Sequence, residues 1–169
     1  MAVSNIRKNK KLYVPYIITA IFTVMMFFMN ISIVKNKNVA AMRGGQNVVL
    51  LLQVALVVSF IFSAIFLFYT NSFLMKRRTK EIGLYNILGM EKKHISLMML
   101  FENVIITTIS LTAGIVFGII FSRLMFLVLM KLIKADSVPA FVISTNAVVV
   151  TIIYFISIFA VIFIYNFVK

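Results

Sequence analysis

The chain has 169 residues, 63% of them apolar and 12% charged, with a mean hydropathy of +1.10, whereas soluble domains run at roughly 45–50% apolar and 25% charged. That composition excludes a water-soluble globule. Its 17 basic against 4 acidic residues, a net +13, would fit nucleic acid in a soluble protein. Here, however, the cations sit in short clusters between long uncharged runs, which is the pattern of membrane topology with no nucleic-acid partner.

In chain order, a basic start (Arg7, Lys8, Lys10, Lys11) precedes a first apolar stretch at 12–34. Further stretches follow at 48–75, 95–130 and 147–168, each long enough for the roughly 20 residues that cross a hydrocarbon core of about 30 Å. The first could instead be a secretory signal, with 39–41 as a weak small-residue cleavage site, but the run exceeds the usual apolar core of about 7–15 residues. The third would be about 54 Å long if wholly helical, so it should tilt or project beyond the membrane. The connections 35–47, 76–94 and 131–146 leave no room for a soluble catalytic unit. Pro15 and Pro139 lie near the expected helix ends, where proline costs least. The chain ends at Lys169, directly after the fourth stretch, and reads as part of a longer protein.

Eleven Lys and Arg residues fall on the side of the N-terminus, the second connection and the C-terminus. Five fall on the other: Lys35, Lys37, Arg43, Lys131 and Lys134. Basic loops stay cytoplasmic, so both termini are expected inside. Arg123 stands within the third stretch and is expected near its outer end, snorkelling toward the interface. With no tryptophan, any interfacial belt falls to the 6 tyrosines and some of the 17 phenylalanines.

The second connection, 76–94, is longer than a turn needs. Leu84, Leu88, Tyr85, Ile82, Met90 and Ile87 spread almost all round a helical wheel, so a helix there wants apolar contacts on two sides. One side can be the membrane interface, which leaves the other for a cytoplasmic partner. Gly89 is placed to end such a helix in the left-handed conformation, and Glu91 to favour the start of the next. The physical alternative is an interfacial anchor whose cations rest on anionic headgroups.

The run Arg78-x-x-Glu81-Ile82-Gly83, then Leu88-Gly89-Met90 and a basic-polar run into an apolar helix, resembles the FtsX-like permease family. The opening from Asn5 to Tyr16 is similar to the start of one branch, the bacitracin-resistance (Bce-type) ABC permeases of Gram-positive bacteria. The resemblance spans most of the chain. It implies an all-α four-helix transmembrane bundle in the bacterial cell membrane, with a cytoplasmic coupling helix between the second and third spans. That helix would be seated on a separate ABC ATPase, acting as a dimer, which binds ATP-Mg. It further implies mechanotransmission, release of peptide antibiotics from lipid targets, and signalling to a membrane histidine kinase. The branch has about ten spans and a large extracellular domain, so this chain looks like the N-terminal bundle of a longer permease. The residues assigned to ATPase coupling by this reading are Arg78, Glu81, Ile82, Gly83, Leu88 and Gly89.

Three other features carry hypotheses. Glu102, followed by Asn103, is the acidic residue well inside an apolar stretch, and such a group marks a functional site by default. It could couple proton movement in a small self-contained exporter. About 10 Å from the helix start, it could equally reach the interface and pair with Lys92 or Arg77. Gly114 and Gly118 have the G-x-x-x-G spacing of close helix contact in lipid, either within the bundle or between copies. A third class of function is a scaffold that holds a sensor kinase without transporting anything.

Catalysis has little to work with. His94 is the single histidine, and cysteine is absent, so no metal site has its ligands. There is no G-x-S-x-G elbow, no acid-histidine pair, and no G-x-x-x-x-G-K-[ST] phosphate loop; Asp136 stands alone in an outer connection. The chain is therefore read as non-enzymatic and without a cofactor of its own.

Overall fold

The computed structural model describes residues 6–36, 45–87, 89, 92–132 and 144–168. These form four long helices: α1 (Lys10–Val34), α2 (Gly45–Ile87), α3 (Lys92–Leu132) and α4 (Thr145–Val168). All four are long and apolar enough to cross a membrane. No strand occurs among the described residues. Within each helix the chain offers few breakers. Pro15 falls in the second turn of α1, where its missing N–H forgoes one helix hydrogen bond close to the helix start.

The chain runs up and down, but sequence neighbours are not the best spatial neighbours. α1 lies mainly against α3, then against α2, whereas α2 and α3 scarcely touch each other's backbones. α1 is the most deeply buried helix and α2 the least. Large apolar side chains such as Leu51, Tyr69 and Ile153 face outward, the arrangement of a protein solvated by lipid.

The α1–α3 seam follows a spacing of four residues on both helices. On α3 the buried row is Ser110, Gly114, Gly118 and Ser122; on α1 it is Tyr16, Ala20, Val24, Phe28 and Ser32. A Cβ on Gly114 would lie 2.6 Å from Val24 Cβ, and one on Gly118 would lie 2.8 Å from Phe28 Cδ1. Both glycines therefore serve contact within the bundle. Matching rows of i and i+4 are the ridges that let two helices cross at close range.

α4 closes the bundle through an aromatic group. Tyr154 stacks on Phe27 and Phe60, with centroids 4.7 and 4.1 Å apart. Its hydroxyl also bonds Ser63 Oγ at 2.9 Å and the Phe60 carbonyl. A smaller cluster of Ile33, Phe126 and Met130 packs the opposite end of α1 and α3 from the one where both helices begin.

One expectation changes. The segment after residue 75 does not begin a separate helix: α2 continues unbroken through Lys76 to Ile87. Nothing there stops a helix, because the residues from Lys76 to Glu81 are mostly good helix formers and Arg78 and Glu81 sit one turn apart. The stop comes at Gly89, whose φ of 83° is the left-handed conformation that ends helices. α3 then begins at Lys92, making a helical hairpin in place of a distinct coupling helix. At 41 residues α3 is also longer than the apolar stretch within it, about 60 Å in all. Residues 39–41, Asp136 and Pro139 lie outside the described residues.

Candidate functional site at the hairpin root

Helices α1 and α3 begin, and α2 and α4 finish, at one end of the bundle, and the polar residues of four helices meet there. Arg78, on the inner face of α2, is only 2% exposed. Its guanidinium grips the Glu102 carboxylate of α3 with two nitrogens, Nη1 donating to Oε2 at 2.5 Å and Nη2 to Oε1 at 3.3 Å. This forked geometry is what arginine, and not lysine, provides. Tyr13 of α1 completes the group: its hydroxyl donates to Glu102 Oε2 at 2.8 Å, and its ring lies 5.2 Å from the Arg78 guanidinium carbon. Since α2 and α3 share little backbone contact, this charge pair with Tyr13 between them is what ties the two arms of the hairpin at its root.

A second ring of contacts surrounds it. Glu81, one turn beyond Arg78, accepts a hydrogen bond from Asn9 Nδ2 at 3.0 Å. It stands 3.9 Å from Arg78 Nε, close enough for attraction but too far for a hydrogen bond. Asn71 and Asn166 exchange amide hydrogen bonds of 3.0 and 3.2 Å between α2 and α4. Asn103 Nδ2 donates to the Phe159 carbonyl at 3.3 Å, linking α3 to α4. A cavity of about 30 Å³ lies among Tyr16, Asn71, Arg78, Glu102, Asn103 and Asn166, which is room for a single water.

The residues assigned from sequence thus divide. Arg78 was expected on a partner-facing surface and is instead turned into the bundle. Glu102 was expected to pair with Lys92 or Arg77, but its partner is Arg78. The reason is rotational: Arg77, 100° further round the helix, points outward and lies 4.6 Å over the Phe73 ring. Glu81 is partly buried. Gly83 is exposed, with nothing within 4 Å of a Cβ placed on it. Gly89 is exposed at the hairpin tip. Leu88 and the Ile82 side chain lie outside what the structure describes. Gly114, Gly118 and Asn103 are built into the helix contacts above, and Arg123 is exposed on α3. His94 is exposed near the start of α3, and no group of metal-ligating side chains occurs among the described residues.

Sequence reasoning overlooked Tyr13, Asn71 and Asn166. The available signal was that each stands just inside the end of an apolar run, where a polar side chain facing a neighbouring helix must find a partner.

Comparison with known proteins agrees with this architecture. Residues 53–169 match the family model described as FtsX-like permease C-terminal. The chain is 32% identical over 165 residues to the bacitracin export permease protein BceB of Bacillus subtilis (strain 168), covering 96% of this chain and 25% of that protein. It is 32% identical over 161 residues to the ABC transporter permease YvcS of the same organism, covering 94% and 25%. To the bacitracin export permease protein BceB of Halalkalibacterium halodurans it is 29% identical over 167 residues, covering 99% and 26%. The chain spans about a quarter of the length of these relatives. The four apolar helices, the Arg-x-x-Glu-Ile-Gly hairpin and a family match over more than half of the chain together place it in the FtsX-like permease family.

Proposed function

We propose that the chain is the N-terminal four-helix part of a Bce-type permease in the bacterial cell membrane, with both termini cytoplasmic. In this reading the hairpin 76–94 seats on a separate ABC ATPase and passes its nucleotide-driven movement into α2 and α3. The observation that carries the reading is the buried Arg78–Glu102–Tyr13 group. A lever transmits force only if its root is stiff, and a desolvated, forked ion pair with a tyrosine hydroxyl on the same carboxylate is a stiff joint. Glu81, Gly83 and Gly89 lie beyond that joint. The exposed glycines allow close approach of a partner, while Ile82 and Leu88 supply apolar contact and Arg78 fixes the hairpin from within. ATP-Mg is bound by the partner. The substrate class follows the relatives named for bacitracin export: a peptide antibiotic, or the lipid-linked target it holds. Signalling to a membrane histidine kinase would use the same movement.

The test is co-purification in mild detergent from the native membrane. An ATP-binding subunit is expected with the parent chain and lost with Glu81→Lys/Gly83→Trp. Gly83→Trp alone, placed in open space, should remove the ATPase without disturbing the fold. Equal recovery of the ATPase with all three chains would overturn the reading.

A further inference from the structure

The outer side of α1 and α2 carries a second feature, separate from the hairpin root. A cleft of about 440 Å³ runs between the two helices, its walls including Pro15, Thr19, Tyr69 and Phe73, with Lys11 and Arg77 among its lining. That volume lies within the usual range for small-molecule sites. Because α1 and α2 are antiparallel, Lys11 at the start of one and Arg77 toward the finish of the other occupy the same end. Thr19 and Tyr69, eight residues away along each helix, lie about 12 Å deeper. The cleft is therefore cationic at one end and largely apolar along its length. Both cations are exposed, and no carboxylate pairs with either among the described residues. The Phe73 ring beneath Arg77 holds the guanidinium at the cleft and leaves its N–H groups free to donate.

We propose that this cleft binds one anionic phospholipid, its phosphate held between Lys11 and Arg77 and an acyl chain laid along Pro15 and Phe73. The position of the cations decides the occupant. They stand where the apolar runs of α1 and α2 give way to charge, which is the headgroup level of a bilayer. A soluble phosphate would leave the apolar walls unused, and an uncharged lipid would leave both cations unused. Arginine over an aromatic ring, beside a lysine, is also a better match to a phosphate than to a zwitterion whose own ammonium would meet two like charges. The site rests on the membrane-spanning fold and is independent of the ATPase reading.

Native mass spectrometry of the chain in dodecyl maltoside tests it, with phosphatidylglycerol and phosphatidylcholine of identical acyl chains as probes. One phosphatidylglycerol per chain should be retained with at least about a 10-fold preference, since each cation near an anionic headgroup is worth roughly five-fold. Lys11→Gln/Arg77→Gln should reduce that preference to about two-fold or less. Lys8→Gln/Lys76→Gln removes the same charge from exposed positions outside the cleft and should keep it. Equal retention of the two lipids by the parent chain would overturn the proposal. So would equal loss of preference in both double variants, which would mean diffuse attraction, or displacement of the lipid by glycerol phosphate, which would mean a soluble-anion site.

Discussion

The α1–α3 seam and the hairpin root solve the same problem with opposite chemistry. In the seam two helices are held by shape: Val24 and Phe28 rest where Gly114 and Gly118 have no side chains, and dispersion contact does the work. At the root, α2 and α3 stand too far apart for such contact, and a charge pair with a tyrosine spans the gap. A close-packed seam resists sliding but tolerates only small residues. A buried ion pair carries directional force, yet is strongly destabilising once either partner is lost. The difference matches the roles: α1 and α3 form a close-packed unit, and α2, which packs on α1, reaches α3 chiefly through this polar pin.

The sharpest way to break the comparison is at the pin. Arg78→Met should destabilise by about 3–5 kcal/mol, because it strands the Glu102 carboxylate, as followed by circular dichroism during thermal unfolding in detergent. Arg78→Met/Glu102→Leu should recover most of that loss, as apolar replacement of a whole buried pair commonly does. A double variant as unstable as the single one would show that the pin is more than a charge pair. Glu102→Gln keeps an acceptor for Tyr13 and should cost about 1.5–3 kcal/mol; an unmoved melting curve would refute the structural role of Glu102.

The seam should respond less. Gly118→Leu drives a branched side chain into Phe28 and should cost about 1–3 kcal/mol, while Gly83→Leu, in open space, should leave the melting curve unmoved. Normal yield and unfolding of Gly118→Leu would refute the packing account. The α2–α4 contact should lose little: Tyr154→Phe removes the bonds to Ser63 and the Phe60 carbonyl for about 1 kcal/mol and leaves the ring stack in place.

Much of this molecule is legible without its structure. Four spans, their approximate limits and the left-handed Gly89 follow from hydropathy, chain length and glycine chemistry, which are local properties of the chain. Gly114 and Gly118 announce a close contact by their spacing, although not with which helix. The continuation of α2 past residue 75 was concealed because a cluster of cations marks the edge of the hydrocarbon core, and the edge of the core is not the end of a helix. The pairing at the root could not be read at all. Arg77 and Arg78 are equivalent in composition and adjacent in sequence, and a single 100° step decides that one meets lipid and water over Phe73 while the other meets Glu102. Which side chains share an interior depends on the rotation and register of several helices at once. Sequence alone determined that this chain holds four stretches long and apolar enough to cross a membrane, and only the packing of α1 between α2 and α3 decided which charges are buried together.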